Sequence, residues 1–276
     1  MTAQPTYPGA EGVDLASVDG FSPDWAKVRG SGRVFAFWRA SYRTSPDPAF
    51  PREWPRILAA GFVRGAYMFW YAKTDPLAQA NAMIKAVPKL GPGELPPVFD
   101  LEFPGHRTST GLTPRECIAR ADVALLRLRE HYGVAPMLYS SRRIFTSSEE
   151  LANAPFPSWW LTMPLWLARY SAQEPLAPPG WGVGNWWAQQ YGESAPREVP
   201  GCSGTVDLDR FKWMKIGEAG ARVGWAKRRL GMGGAELFDD AMLTRVRSFQ
   251  RAHELTVDGV IGPRTFAVLA WERPGL

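Results

Sequence analysis

The chain has 276 residues, a formal net charge of +5, and 45% hydrophobic against 21% charged residues, a balance ordinary for a chain that builds a core. No apolar run reaches the roughly 18–20 residues needed to span a bilayer, so stable membrane insertion is not expected. Residues 216–276 hold nine Lys and Arg against seven Asp and Glu, and neither they nor the rest carry a basic run with interleaved aromatics. Nucleic acid is therefore not an expected partner.

Taken in chain order, short apolar runs alternate with helix-like runs as far as about residue 152. Strands are expected over residues 12–15, 34–40, 65–70, 97–101 and 136–140, and helices over 23–29, 53–60, 76–87, 114–132 and 142–153. The helix over 114–132 has the clearest signals. Thr113 can cap it, Pro114 suits its first turn, and Glu116 completes a capping box. Ile118, Ala121, Leu125 and Leu128 share a face, and Gly133 can end the helix. This alternation implies parallel strands with crossover helices. Beyond residue 153, prolines at 155, 157, 164, 175, 178 and 179 break helices. Three strands remain, over 165–170, 185–191 and 204–208. The expectation is an α/β chain: an irregular (β/α)5(β)3 TIM-like barrel over 8–215, followed by a small three-helix domain over 217–276. The three helices are expected at 222–230, 240–252 and 263–270.

In such a barrel the chemistry sits at the C-terminal ends of the strands. Asp14 ends the first strand, Asp100 and Glu102 the fourth, and Asp207 and Asp209 the eighth. Strands one and eight are neighbours and strand four lies across the mouth, so these carboxylates converge. Crowded like charges raise a pKa, and a carboxyl kept protonated can act as a general acid while a second carboxylate meets an oxocarbenium-like charge. Glycoside hydrolysis needs that pair. The competing reading is that Arg39, Arg64 or Arg169 neutralises these acids. Eleven of the 13 tryptophans precede residue 216, and those beside strand ends suit the apolar faces of sugar rings. His106, His131 and His253 show no metal-ligand spacing, and Cys117 and Cys202 form no C-x-x-C pair. No metal or other cofactor is expected, and both thiols are expected to be free.

The order of several fragments resembles the family 25 glycoside hydrolases, lysozymes that include many bacteriophage endolysins. They are Gly12-Val13-Asp14, Phe35-Ala36-Phe37-Trp38-Arg39-Ala40-Ser41, Gly65-Ala66-Tyr67-Met68-Phe69, Pro97-Val98-Phe99-Asp100-Leu101-Glu102, Leu138-Tyr139-Ser140, Leu165-Trp166-Leu167-Ala168-Arg169-Tyr170, Trp187-Ala188-Gln189-Gln190-Tyr191 and Val206-Asp207-Leu208-Asp209. The resemblance spans about 11–213 and implies a barrel of five β/α units closed by three more strands. It also implies retaining cleavage of the β-1,4 bond between N-acetylmuramic acid and N-acetylglucosamine. Glu102 would then be the proton donor, Asp100 its partner, and Asp14 and Asp207 the rest of an acidic ring. Whether a carboxylate or the substrate's own N-acetyl group attacks stays open. Tyr67, Tyr139, Trp166 and Gln189 would line the groove, with Arg39 and Asp209 beside them. Two positions depart from the family: Met68 stands where His is usual, and Asp209 where Asn is common.

Residues 220–270 resemble a small helical peptidoglycan-binding module, carried by Val246-Arg247-Ser248-Phe249-Gln250-Arg251-Ala252 and by Thr256-Val257-Asp258-Gly259-Val260-Ile261-Gly262-Pro263. The implied partner is bacterial peptidoglycan, and a monomer is expected. Removing 217–276 should then weaken wall binding more than cleavage of small fragments. The other readings are a non-catalytic wall-binding or effector protein, and a different glycosidase such as a chitinase. Residues 1–12 hold no basic n-region or apolar h-region, so no secretory leader is expected there. A chain acting on the wall would be made in the cytoplasm and released by another route, as in host lysis.

Overall fold

The computed structural model describes residues 4–103 and 105–272. The first three residues of the polar N-terminus, Pro104 and the last four residues of the expected second unit lie outside the described residues. Among the described residues nine strands form one sheet: β1 (Gly9–Leu15), β2 (Phe35–Tyr42), β3 (Ser45–Pro46), β4 (Val63–Phe69), β5 (Val98–Asp100), β6 (Met137–Ser140), β7 (Leu165–Ala168), β8 (Ala188–Glu193) and β9 (Asp207–Lys212). Eight of them close into a barrel in the order β1-β9-β8-β7-β6-β5-β4-β2, with β2 pairing back to β1. The short β3 hangs on β2 outside the ring. It was not expected, because two residues carry no alternation to read.

Neighbours from β1 through β2 and β4 to β8 run parallel. Strand β9 is antiparallel to both β8 and β1 and shuts the barrel. The strand expected over 204–208 is therefore displaced: it begins at Asp207 and continues through Phe211 to Lys212.

Five helices follow the first five barrel strands: α1 (Trp25–Gly30), α2 (Phe50–Ala59), α3 (Pro76–Ala86), α4 (Pro114–Tyr132) and α5 (Arg142–Thr146). In α4 the capping box forms as the sequence suggests, with Glu116 N donating to Thr113 Oγ1 at 3.2 Å and Thr113 N to Glu116 Oε2 at 2.7 Å. Gly133 ends this helix at φ 73°, a left-handed conformation that costs glycine little. Helix α5 stops at Thr146 rather than near residue 153. The chain turns back there because buried Glu150 accepts hydrogen bonds from Arg107 N at 2.9 Å and Arg143 at 3.2 Å, which ties it to the loop after β5.

The lumen is filled by aromatic rings. Phe35 and Phe37 fit because their neighbours lack side chains: a Cβ at Gly12 would lie 2.4 Å from the Phe35 ring, and one at Gly65 2.3 Å from Phe37. The second unit, α6 (Ala221–Arg229), α7 (Asp240–Ala252) and α8 (Pro263–Leu269), packs on the opposite end of the barrel from the strand C-termini. Phe266 of α8 meets Trp187 at 4.5 Å and Phe211 at 5.3 Å between ring centroids, and Trp225 of α6 meets Trp187 at 5.0 Å. One buried cluster runs unbroken from Phe35, Phe37 and Trp166 inside the barrel to Val246, Phe266 and Leu269 in this unit. Hydrogen bonds join the same surfaces: Gly93 N to Ala267 O at 3.0 Å and Trp271 Nε1 to Glu94 O at 2.8 Å.

The helical unit thus floors the barrel, and a clean deletion with an unharmed barrel is not what this packing supports. Removing 217–276 would strip apolar cover from Trp187 and Phe211, so binding and cleavage should fail together. Phe266→Ala should destabilise the whole molecule by ~3–5 kcal/mol in a single cooperative unfolding transition. Two separate transitions, with only one shifted, would show that the units fold independently.

Candidate active site

The C-terminal ends of the parallel strands surround one open cavity of about 280 Å³. Asp14 reaches it from β1, Asp100 from the last position of β5, and Glu102 from two residues further on. Asp207 lies opposite Asp14 in the β1–β9 ladder. It opens β9 rather than ending a strand, as the sequence had suggested. It reaches the same mouth because β9 runs the other way.

Tyr67, Tyr139 and Trp166 form the apolar side of the cavity. Trp166 stacks on Phe37 with centroids 4.1 Å apart and receives the edge of Tyr139 at 4.5 Å, so its ring is held flat beneath the mouth. Tyr170, 61% exposed, stands at the rim and donates its hydroxyl to Asp207 Oδ1 at 2.8 Å.

The arginines do not neutralise this mouth by ion pairing. Arg39 lines the cavity but is paired with buried Asp47 at 3.0 Å. Arg64 pairs with Glu94 at 2.6 Å, and Arg169 donates to the Glu174 carbonyl and the Gln173 side chain. Among the described residues no three His, Cys, Asp or Glu side chains are grouped to hold a metal ion.

Two expected groove residues lie elsewhere. Gln189 is fully buried; it accepts from Tyr7 and donates to the carbonyls of Arg169 and Ser171, tying strand to loop. Its neighbour Gln190 faces the cavity instead, since side chains alternate along a strand. Asp209 does not line the cavity either. It is fully buried beneath Asp14, and its Oδ1 accepts from Trp166 Nε1 at 2.8 Å. Met68 is fully buried in the layer between barrel and helices, so the departure from His leaves the mouth untouched. Asp19 was missed: it sits on the turn after β1, caps Ala16 N at 2.7 Å and lines the mouth. Only its position in the first strand-to-helix loop could have pointed to it.

The acids are electrostatically linked. Burial pushes Asp100 well above the carboxylate range, the Glu102 charge pushes it further, and Arg39 opposes both. Glu102 is raised first by burial and then by the Asp207 charge. Asp14 and Asp209 lie close enough for each carboxyl to act on the other. Both are raised well above the usual range, first by burial; the charges of Asp209 and Asp207 then add to Asp14, and that of Asp207 to Asp209. Among the described residues no donor reaches Asp209 Oδ2 or Asp100 Oδ1, leaving each free to carry a proton. From this pair a chain of bonds runs to the cavity wall: Gln190 Nε2 donates to Asp14 at 2.9 Å, and Tyr139 donates to Gln190 at 2.8 Å.

The sequences of known proteins bear on this arrangement. Residues 13–199 match glycosyl hydrolases family 25, and residues 222–269 match a peptidoglycan binding domain family. The uncharacterized protein YegX of Escherichia coli K12 is 26% identical over 194 residues, covering 68% of this chain; the chain spans 64% of that relative's length. A family 25 glycosyl hydrolase from Bacillus anthracis superposes with a TM-score of 0.62 at 23% identity, over 76% of this chain and 91% of that one. The bacterial lysozyme from Streptomyces coelicolor gives 0.60 at 25% identity, over 74% and 92%.

Two expectations follow from the charges. Asp207 is pushed up to about 6 from 3.8 by burial, against the Tyr170 hydrogen bond and with help from Glu193 and Asp19. The folded chain holds that proton more tightly than the unfolded chain, so the associated stability is complete below about pH 4 and is lost as pH rises through about 6. Stability relative to Asp207→Asn should therefore increase on acidification from about pH 7 to about pH 4, by at most ~3 kcal/mol. Chemical denaturation at both pH values checks this, and a constant difference would refute it. At the deeper pair, Asp209→Asn keeps an acceptor for Trp166 and a donor for Asp14, and should change stability by less than ~1 kcal/mol. Asp209→Ala leaves the buried Trp166 Nε1 without its acceptor and should cost ~1–3 kcal/mol in the same assay.

Proposed function

The chain belongs to glycosyl hydrolases family 25, and from that premise we propose that it is a muramidase, a lysozyme that cuts the β-1,4 bond between N-acetylmuramic acid and N-acetylglucosamine in peptidoglycan. The supporting observation is the position of Glu102. It stands half-buried at the open mouth, its carboxyl raised by burial and by Asp207, while buried Asp100 ends β5 two residues before it. A raised, accessible carboxyl is suited to protonating the leaving glycosidic oxygen as the bond breaks.

In its ionised form Asp100 faces the positive charge that develops at the anomeric carbon, and the other acids of the mouth keep the surrounding potential negative. The Trp166 ring, with Tyr67 and Tyr139, offers an apolar surface for a sugar ring. The unit over 217–276 acts as a wall-binding domain, consistent with its match to peptidoglycan binding domains. It raises the local concentration of a substrate that cannot diffuse.

The test is to digest purified peptidoglycan, reduce the new ends and identify them by mass spectrometry. Reduced N-acetylmuramic acid ends are expected. Reduced N-acetylglucosamine ends would make the enzyme a glucosaminidase, and no new ends would favour a binding protein. Glu102→Gln should lower the rate by ~10²–10⁴-fold while leaving the thermal unfolding midpoint in place. Wild-type clearance by that variant would remove Glu102 from the mechanism.

A further inference from the structure

The C-terminal unit has less free apolar surface than an isolated module would have. The apolar residues of α6 and α8, among them Val223, Trp225, Phe266 and Leu269, are spent on the barrel floor. At the seam, a cleft of about 360 Å³ stays open. One wall is the loop from Leu255 to Val260 with the start of α8. The other belongs to the barrel: Ala10, Val34 and Trp213.

Trp213 is the one exposed tryptophan among the described residues, with 38% of its surface open. It is placed rigidly. Met214 and Ile261 form an antiparallel bridge, with N–H to carbonyl distances of 3.1 and 2.9 Å in the two directions. That bridge locks the segment after β9 to the loop before α8. Gly262 keeps the indole edge clear, since even a Cβ there would sit 3.5 Å from the ring. Across the cleft, Arg264 donates to the Gly61 carbonyl at 2.7 Å, and its exposed guanidinium meets no carboxylate at ion-pair distance among the described residues.

We propose that this composite cleft is a muropeptide-binding site: an N-acetylated amino sugar lies on Trp213, and a carboxylate of its attached stem peptide pairs with Arg264. An indole face takes the apolar side of a sugar ring, and a guanidinium free of acidic partners suits a peptide carboxylate. The inference rests on the reading of the chain as a wall hydrolase and adds where the wall is held. Half of the site comes from the barrel, which neither unit alone would contain. It also sits at the wrong end of the barrel to feed the acids. Strand β9 runs from Asp207 at the mouth to Lys212 at the floor, a span of ~17 Å at strand rise. The stretch of wall held at the seam is therefore separate from the bond being cut.

The test uses the full chain. Co-sedimentation with insoluble peptidoglycan is measured in the Glu102→Gln background, so that the wall is not digested, and hydrolysis of soluble muropeptide oligomers is measured in the active protein. Trp213→Ala should weaken sedimentation by ~3–10-fold, and Arg264→Glu should weaken it at least as much. Both should hydrolyse soluble oligomers at the wild-type rate, and Trp213→Ala should keep the thermal midpoint. Unchanged sedimentation in both variants would overturn the proposal. So would equal loss of sedimentation and soluble hydrolysis, which would mean damage to the fold. If wild type cleaves no oligomer at all, the muramidase reading fails; the sedimentation of Trp213→Ala still decides the cleft.

Discussion

Strand β9 closes the barrel, brings acids to its mouth and seats the second unit at once. A sheet of parallel strands joined by crossover helices leaves two edges, and here a single antiparallel strand bonds to both β8 and β1. Because it runs against the others, its first residues lie at the mouth and its last at the floor. Asp207 and Asp209 join the acids of β1 and β5 at one end, and Phe211 meets Phe266 at the other. Directly beyond it, Met214 bridges to Ile261 of the second unit, beside the exposed Trp213. A shift of this strand by one residue would turn Asp207 and Asp209 out of the lumen and break all three arrangements.

The carboxyl groups at the mouth are tolerable because they are not all charged. Burial is the first cause of every raised value among Asp14, Asp100, Glu102, Asp207 and Asp209. Their mutual repulsion adds to it, and the nearby arginines are committed to other partners. Protons therefore stay on part of the ring at pH values where isolated carboxylates would have lost them. The same crowding that weakens the fold at neutral pH favours the protonated form of acids at the open mouth. Trp166 belongs to both sides of this balance: its ring floors the cavity, and its N–H partly satisfies the buried Asp209.

The floor has a different logic. The helical unit buries aromatic rings of the barrel lumen, so the two units share one core and one orientation. A fixed orientation removes the freedom of a flexible tether and replaces it with geometry. Whatever the seam holds is presented at a set distance and direction from the acids.

Much of this was legible in the residues. The five β/α units, the helix-free closing strands and the three C-terminal helices could be read because hydrophobic period, capping residues and prolines are local signals. The acids Asp14, Asp100, Glu102 and Asp207 could be read because each stands at a strand end, and strand ends in a barrel converge. The competing reading, in which arginines neutralise them, could be settled only once Asp47 and Glu94 were seen to occupy Arg39 and Arg64. The choice between Gln189 and Gln190 likewise waited on the fold, because two adjacent residues on one strand differ only in which face they present. The burial of Asp209, the direction of β9 and the seating of the second unit on the barrel floor were also beyond local pattern. Each depends on pairings between residues far apart in the chain. The sequence alone determined which chemistry the chain carries; the tertiary structure decided which side chains meet it, because only closure of the barrel sorts mouth from floor and inside from outside.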